Sequence, residues 1–173
     1  MSIFSFIKEA GAKIMGIGKS KPENNPEVSE RKAKEDQQEN AKAAARLEEN
    51  IRNLNLNIEN LDITIEGDMA TVSGEAEDQA TREKIILVVG NTAGIGQVDD
   101  RMDVEDEEPE AIFHTVERGD TLGKIAKDHY GDANKYKIIF EANTPMLKDP
   151  DKIYPGQVLR IPQPEEKNNK ETV

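Results

Sequence analysis

The chain has 173 residues, 35% hydrophobic and 34% charged, enough for one or two small domains with a modest core and some solvated linker. It contains no Cys and two His, which excludes disulfides, thiol nucleophiles and zinc–thiolate centres. The net charge of −12 is uneven: residues 1–112 carry 13 Lys/Arg against 25 Asp/Glu (−12), residues 113–162 eight against seven (+1), and residues 163–173 two against three (−1). The N-terminal two-thirds therefore repels nucleic acid and anionic membranes and attracts cations.

Taken in order, residues 2–15 carry Ile3, Phe4, Ile7, Ala10, Gly11, Ile14 and Met15 at spacings of three and four. This spacing predicts one apolar face of a helix over residues 1–17. Two placements compete, on a membrane surface or against the protein. Glu9 offsets Lys8 and Lys13, so the basic polar face of a membrane helix is missing and docking on the protein is favoured. The segment has no basic leader and the chain no long apolar window, which predicts a cytoplasmic protein.

Residues 18–30 hold two prolines and no apolar period and read as linker, part of a charged insertion over 18–45. From Ser29, a candidate N-cap, to Asn53 the chain is helix-prone, with a narrow seam at Ala44, Leu47, Ile51 and Leu54. Leu61, Ile63 and Ile65 alternate with polar residues, Gly67-Asp68 turns, and Ala70 and Val72 alternate in their turn, which predicts a hairpin. Asp78 starts a helix that runs to about Val89. A third strand carries Val98, Met102 and Val104. Asp100 falls on the same face, so a bulge or an exposed end is expected there.

Between this helix and this strand lies Gly90-Asn91-Thr92-Ala93-Gly94-Ile95. Glycine just past a helix takes the left-handed conformation without a Cβ penalty. The last four carbonyls of a helix lack partners inside it and carry the negative end of its dipole. Amides, water or a cation must satisfy them; an ordinary C-cap is the simplest reading of this segment alone.

Six acidic residues and Pro109 within Asp103–Glu110 mark a self-repelling linker over 106–112 and a domain boundary. Residues 113–162 then read as strand, helix, helix, strand. Asp120 is the expected cap of the first helix, whose buried face is Leu122, Ile125, Ala126 and Tyr130. The second helix, Asn134 to Ala142, buries Tyr136, Ile139 and Phe140 or Ile138. Residues 163–173 read as a disordered tail.

The pattern His114-Thr-Val-x-x-Gly-Asp-Thr-Leu-x-x-Ile-Ala-x-x-x-Tyr-Gly131, with Ile139-x-x-Ala-Asn143 and Ile153-Tyr-Pro-Gly-Gln-x-Leu-x-Ile-Pro162, closely resembles a LysM domain over the whole unit. Residues 46–105 resemble a BON domain through Val72-Ser-Gly74 and Gly94-Ile-x-x-Val-Asp99. Joined to Ile3-Phe-x-Phe-Ile-Lys-x-Ala-Gly11, the order resembles the small bacterial potassium-binding proteins. This chain departs from them in a longer charged insertion and a longer tail. The expected fold class is α+β: an N-terminal helix, a BON-like unit of helix, hairpin, helix and strand with a three-stranded sheet, and a β-α-α-β LysM unit. The resemblance implies K⁺ held by main-chain carbonyls of Ile7, Ala10 and Ala12 on one side and Gly90, Thr92 and Ile95 on the other. Ala12 and Thr92 differ from the side chains expected in relatives, which matters little for backbone ligands. Neutral carbonyl dipoles suit a weakly hydrated monovalent cation, whereas a hard divalent ion would ask for carboxylates.

Two other functions fit parts of the chain. LysM domains generally bind N-acetylglucosamine polymers such as peptidoglycan, which the resemblance places at Gly119, Asp120, Thr121, Leu122, Ile153, Tyr154 and Gly156. One copy lacks the avidity of linked repeats. A membrane-associated scaffold would use residues 2–15. No nucleophile or acid–base constellation surrounds His114 or His129, so no enzyme activity is expected. The remaining expectation is a monomer whose ligand is K⁺.

Overall fold

The computed structural model describes residues 2–6, 12–13, 17 and 25–164. Asn25 caps helix α1, Pro26–Asn53, by accepting a hydrogen bond from Glu27 N at 3.3 Å. Pro26 occupies the first turn, where its missing N–H costs nothing. Ser29 therefore lies inside the helix and is not its cap. Ala43, Ala44, Leu47 and Ile51 are its buried residues. The front half is solvated, and the helix runs without interruption through position 45, where the charged insertion was expected to end.

Period-two alternation builds the sheet. Strands β3 (Ile58–Glu66) and β4 (Met69–Asp78) form an antiparallel hairpin, with Ile63, Ile65, Ala70 and Val72 inside. Gly67, at φ 61°, closes its turn, and Asn60, at φ 51°, lies where the register shifts. Helix α2 (Gln79–Gly90) is capped by Asp78, whose carboxylate accepts from Thr81 N at 2.7 Å. It carries the chain to β6 (Gln97–Asp106), parallel to β4.

The N-terminal helix is not what forms over the described part of residues 1–17. Ser2–Ser5 is a strand, β1, antiparallel to β6, which makes the sheet four-stranded in the order β1-β6-β4-β3. The reason is an open edge on β6. Phe4 and Phe6 alternate inward while Ile3 is 64% exposed, so the segment buries its aromatics at period two. Ala12–Lys13 is a second short strand, β2.

The second unit pairs β7 (Ile112–Thr115) antiparallel to β8 (Val158–Ile161). Between them lie α3 (Leu122–Tyr130), a 3₁₀ turn at Ala133–Lys135 and α4 (Tyr136–Ala142). Thr121, not Asp120, caps α3, accepting from Lys124 N at 3.1 Å. Gly131 ends α3 at φ 74°. The core is Val116, Leu122, Ile125, Ala126, Ile139, Leu147, Leu159 and Ile161, with Phe140 against it and Ile138 exposed. Among the described residues no helix is long and apolar enough to cross a membrane.

Candidate functional site

Helix α2 ends differently from the glycine cap expected of its sequence. Gly90 is its last residue, and Asn91 is the C-cap at φ −77°, ψ 5°. Two terminal carbonyls are satisfied locally: Leu87 O accepts from Asn91 N at 2.9 Å, and Val88 O from the Thr92 hydroxyl at 3.0 Å. Gly90 is needed for space. A Cβ there would fall 2.1 Å from Cζ of Phe6, so the ring lies directly on the helix end. The left-handed residue comes later, at Gly94, with φ 97°, where a Cβ would meet Ile17 at 2.6 Å.

These two glycines leave room for Phe6 and Ile17 against the turn. Phe6 N donates to Gly96 O at 2.9 Å. Ala12 and Lys13 then pair in parallel with Thr92 and Ala93, which form strand β5. Three described positions thus meet the turn: Phe6 over Gly90, Ala12 beside Thr92, and Ile17 over Gly94.

Of the six carbonyl ligands expected from sequence, Ala12 and Thr92 face each other in register. Gly90 and Ile95 lie on the same turn and are buried. Thr92 O accepts from Ile95 N at 3.1 Å. Ile7 and Ala10 lie outside the described residues. Among those described, no group of three His, Asp or Glu side chains is placed to hold a metal ion.

Sequence reasoning passed over Asn91. Its side-chain amide donates to Val158 O and accepts from Val158 N, both at 2.8 Å. Asn143 does the same two residues along, accepting from Arg160 N and donating to Arg160 O, each at 2.8 Å. Alternate residues of a strand present their backbone groups to one side. Strand β8 therefore has β7 on one edge and two asparagine amides on the other, one supplied by each unit. A buried ion pair lies nearby. Arg160 Nε donates to Glu83 Oε2, while Glu83 Oε1 accepts from Gln79 Nε2 at 3.0 Å and from Ala111 N at 2.9 Å. Burial lowers the Lys84 pKa, and the Arg160 charge lowers it further.

Asp100 also departs from the bulge or exposed end expected of it. It is 1% exposed on a regular strand, neither bulged nor at a frayed end. Arg82, one helix turn into α2, donates to Asp100 Oδ2 at 2.7 Å, and Met102 N donates to Oδ1 at 3.0 Å. A buried carboxylate is tolerable when so paired.

The residues expected at a glycan groove are divided. Leu122 is in the core. Asp120 is committed to neighbours: Lys124 Nζ at 2.8 Å and Glu117 N at 2.9 Å. Tyr154 lines a 470 Å³ cleft between the two units, with Leu54, Val88, Asn91, Thr92 and Met146 among its walls.

The family model for the BON domain matches residues 36–106, and that for the LysM domain matches residues 114–162. The chain is 41% identical over 164 residues to the potassium binding protein Kbp of Escherichia coli O6:H1, covering 94% of this chain and 99% of the relative. The chain belongs to the Kbp family. It is also 47% identical over 58 residues, 34% of this chain, to an uncharacterized protein of Deinococcus radiodurans, of which those residues are 22%. At 94% of the chain, the first match takes in most of both units. The BON match begins inside α1, so part of that helix belongs with the first unit and is not mere insertion.

Proposed function

We propose that the chain binds one K⁺ ion through the main-chain carbonyls of Ala12, Gly90, Thr92 and Ile95, with Ile7 and Ala10 completing the ring. The observation that carries this is the parallel pairing of Ala12–Lys13 with Thr92–Ala93, which brings the two ligand segments side by side. The family relationship supports the choice of ion. So does the chemistry: a helix C-terminus and buried backbone oxygens suit a monovalent cation. The charge of −12 borne by residues 1–112 lowers the cost of capturing it.

In this reading the ion is a folding ligand. It ties the N-terminal segment to the turn, and the turn holds β8 through Asn91. The chain acts as a cytoplasmic, monomeric K⁺ sensor with no catalytic role. Calorimetry in KCl against NaCl tests it. A saturable K⁺ heat is expected, with stabilisation of about 2.7 kcal/mol at a hundredfold excess over Kd. No K⁺ heat, and a thermal midpoint no higher in K⁺ than in matched Na⁺, would refute it.

The LysM match favours a second reading, weak binding of a peptidoglycan fragment near Gly119–Leu122 and Ile153–Gly156. Failure to sediment with purified peptidoglycan removes it.

A further inference from the structure

The two histidines of the chain lie fifteen positions apart in sequence, yet their rings meet on the LysM unit, away from the α2 turn. His114 is on β7 and His129 in the last turn of α3. His129 Nε2 is 3.2 Å from His114 Nδ1, with the rings edge to face at 88°. On its far side, His114 Nε2 is 3.3 Å from Asp120 Oδ2. The Asp120 carboxylate is itself fixed, by Glu117 N on Oδ2 and Lys124 Nζ on Oδ1.

An ionised carboxylate only accepts hydrogen bonds, so the neutral His114 ring carries its proton on Nε2. Its Nδ1 lone pair then faces His129. A carboxylate that orients an imidazole in this way is the usual support behind a metal-bound histidine. The spacing also fits. Two nitrogens each about 2.05 Å from one ion, at an angle of about 90–109°, are roughly 2.9–3.3 Å apart. Both rings are half-buried, so the pair is ordered and still reachable from solvent.

We propose that His114 Nδ1 and His129 Nε2 together bind a divalent transition-metal ion of the imidazole-preferring class, Zn²⁺ or Cu²⁺. Asp120 acts as the positioning residue behind His114. His129 needs only to carry its proton on Nδ1, a tautomer change that releases no proton to solvent. Water fills the remaining positions, because no third protein ligand converges there among the described residues. The site is therefore exchangeable rather than structural, and Cu²⁺ binds it more tightly than Zn²⁺. Imidazole does not suit K⁺, so this site is independent of the carbonyl site on the turn.

The test uses the full chain in KCl, titrated with ZnCl₂ and followed by calorimetry and by long-range ¹H–¹⁵N spectra of the histidine rings. One equivalent should bind, moving the His114 Nδ1 and His129 Nε2 resonances. H129Q, which removes a half-exposed ring at a helix end, should weaken binding at least tenfold. D120N should weaken it about 10- to 100-fold while leaving both rings in place. If Zn²⁺ leaves both ring spectra unchanged in the wild-type chain, or binds H129Q and H114Q as tightly as wild type, the proposal is wrong.

Discussion

Gly90 is required by what lies on top of it. The Phe6 ring occupies the space a Cβ would need, at 2.1 Å, so Gly90→Ala must push Phe6 away or distort the end of α2. Overpacking of this kind costs about 1–3 kcal/mol. The cost falls on docking of the N-terminal segment, so G90A should weaken K⁺ binding at least tenfold by calorimetry while the LysM unit melts as before. Asp120 makes a separate prediction. The hydrogen bond from Lys124, then that from Glu117 N, lowers its pKa from 3.8 to about 2. A carboxylate depressed in the folded state stabilises above its unfolded pKa and loses that contribution as pH falls through its folded value. Wild type should therefore exceed D120N in urea midpoint at neutral pH, by under about 1 kcal/mol because Lys124 is solvent-exposed. The gap should close between about pH 4 and pH 2.

At the scale of elements, Asn91 joins the two units. Asn91→Ala removes both hydrogen bonds to Val158 and leaves that residue's backbone groups partly buried and unpaired, at a cost of about 1–3 kcal/mol. Denaturant melts of N91A should show this loss, and scattering should give a larger radius of gyration than wild type in the same KCl. The hairpin, α2, β6 and the β-α-α-β order were legible because each buries one face at its own period. Leu61, Ile63 and Ile65, or Leu122, Ile125 and Ala126, admit few alternatives. The N-terminal segment was misread because Ile3, Phe4 and Ile7 satisfy helical spacing while Phe4 and Phe6 satisfy alternation. The open edge of β6, which no local pattern records, decides between them. Asp100 was misread for a similar reason: its partner Arg82 is eighteen residues away. Asn91 was hidden because its partner is a strand backbone sixty-seven positions on, which has no side-chain signature. Of the candidate site, the turn and its glycines were visible, but the role of Gly90 was not. Glycine marks a helix end and a close approach with the same letter.

For the molecule as a whole, charge and architecture point the same way. The acidic excess sits on residues 1–112, which contain the candidate cation site, while residues 113–162 are nearly balanced. The two units meet through the amide of Asn91 and through the Glu83–Arg160 pair, in which the second carboxylate oxygen of Glu83 accepts from Gln79 and from Ala111 N in the linker. An ion on the α2 turn is thus two bonded steps from β8. The central question is whether K⁺ is held by backbone oxygen. The most direct measurement is the carbonyl ¹³C shift of each residue during titration with KCl and, separately, with NaCl. Saturable shifts concentrated at Ala12, Gly90, Thr92 and Ile95 in K⁺, and absent at equal Na⁺, are predicted. Shifts spread over the acidic surface, or identical in the two salts, would contradict it.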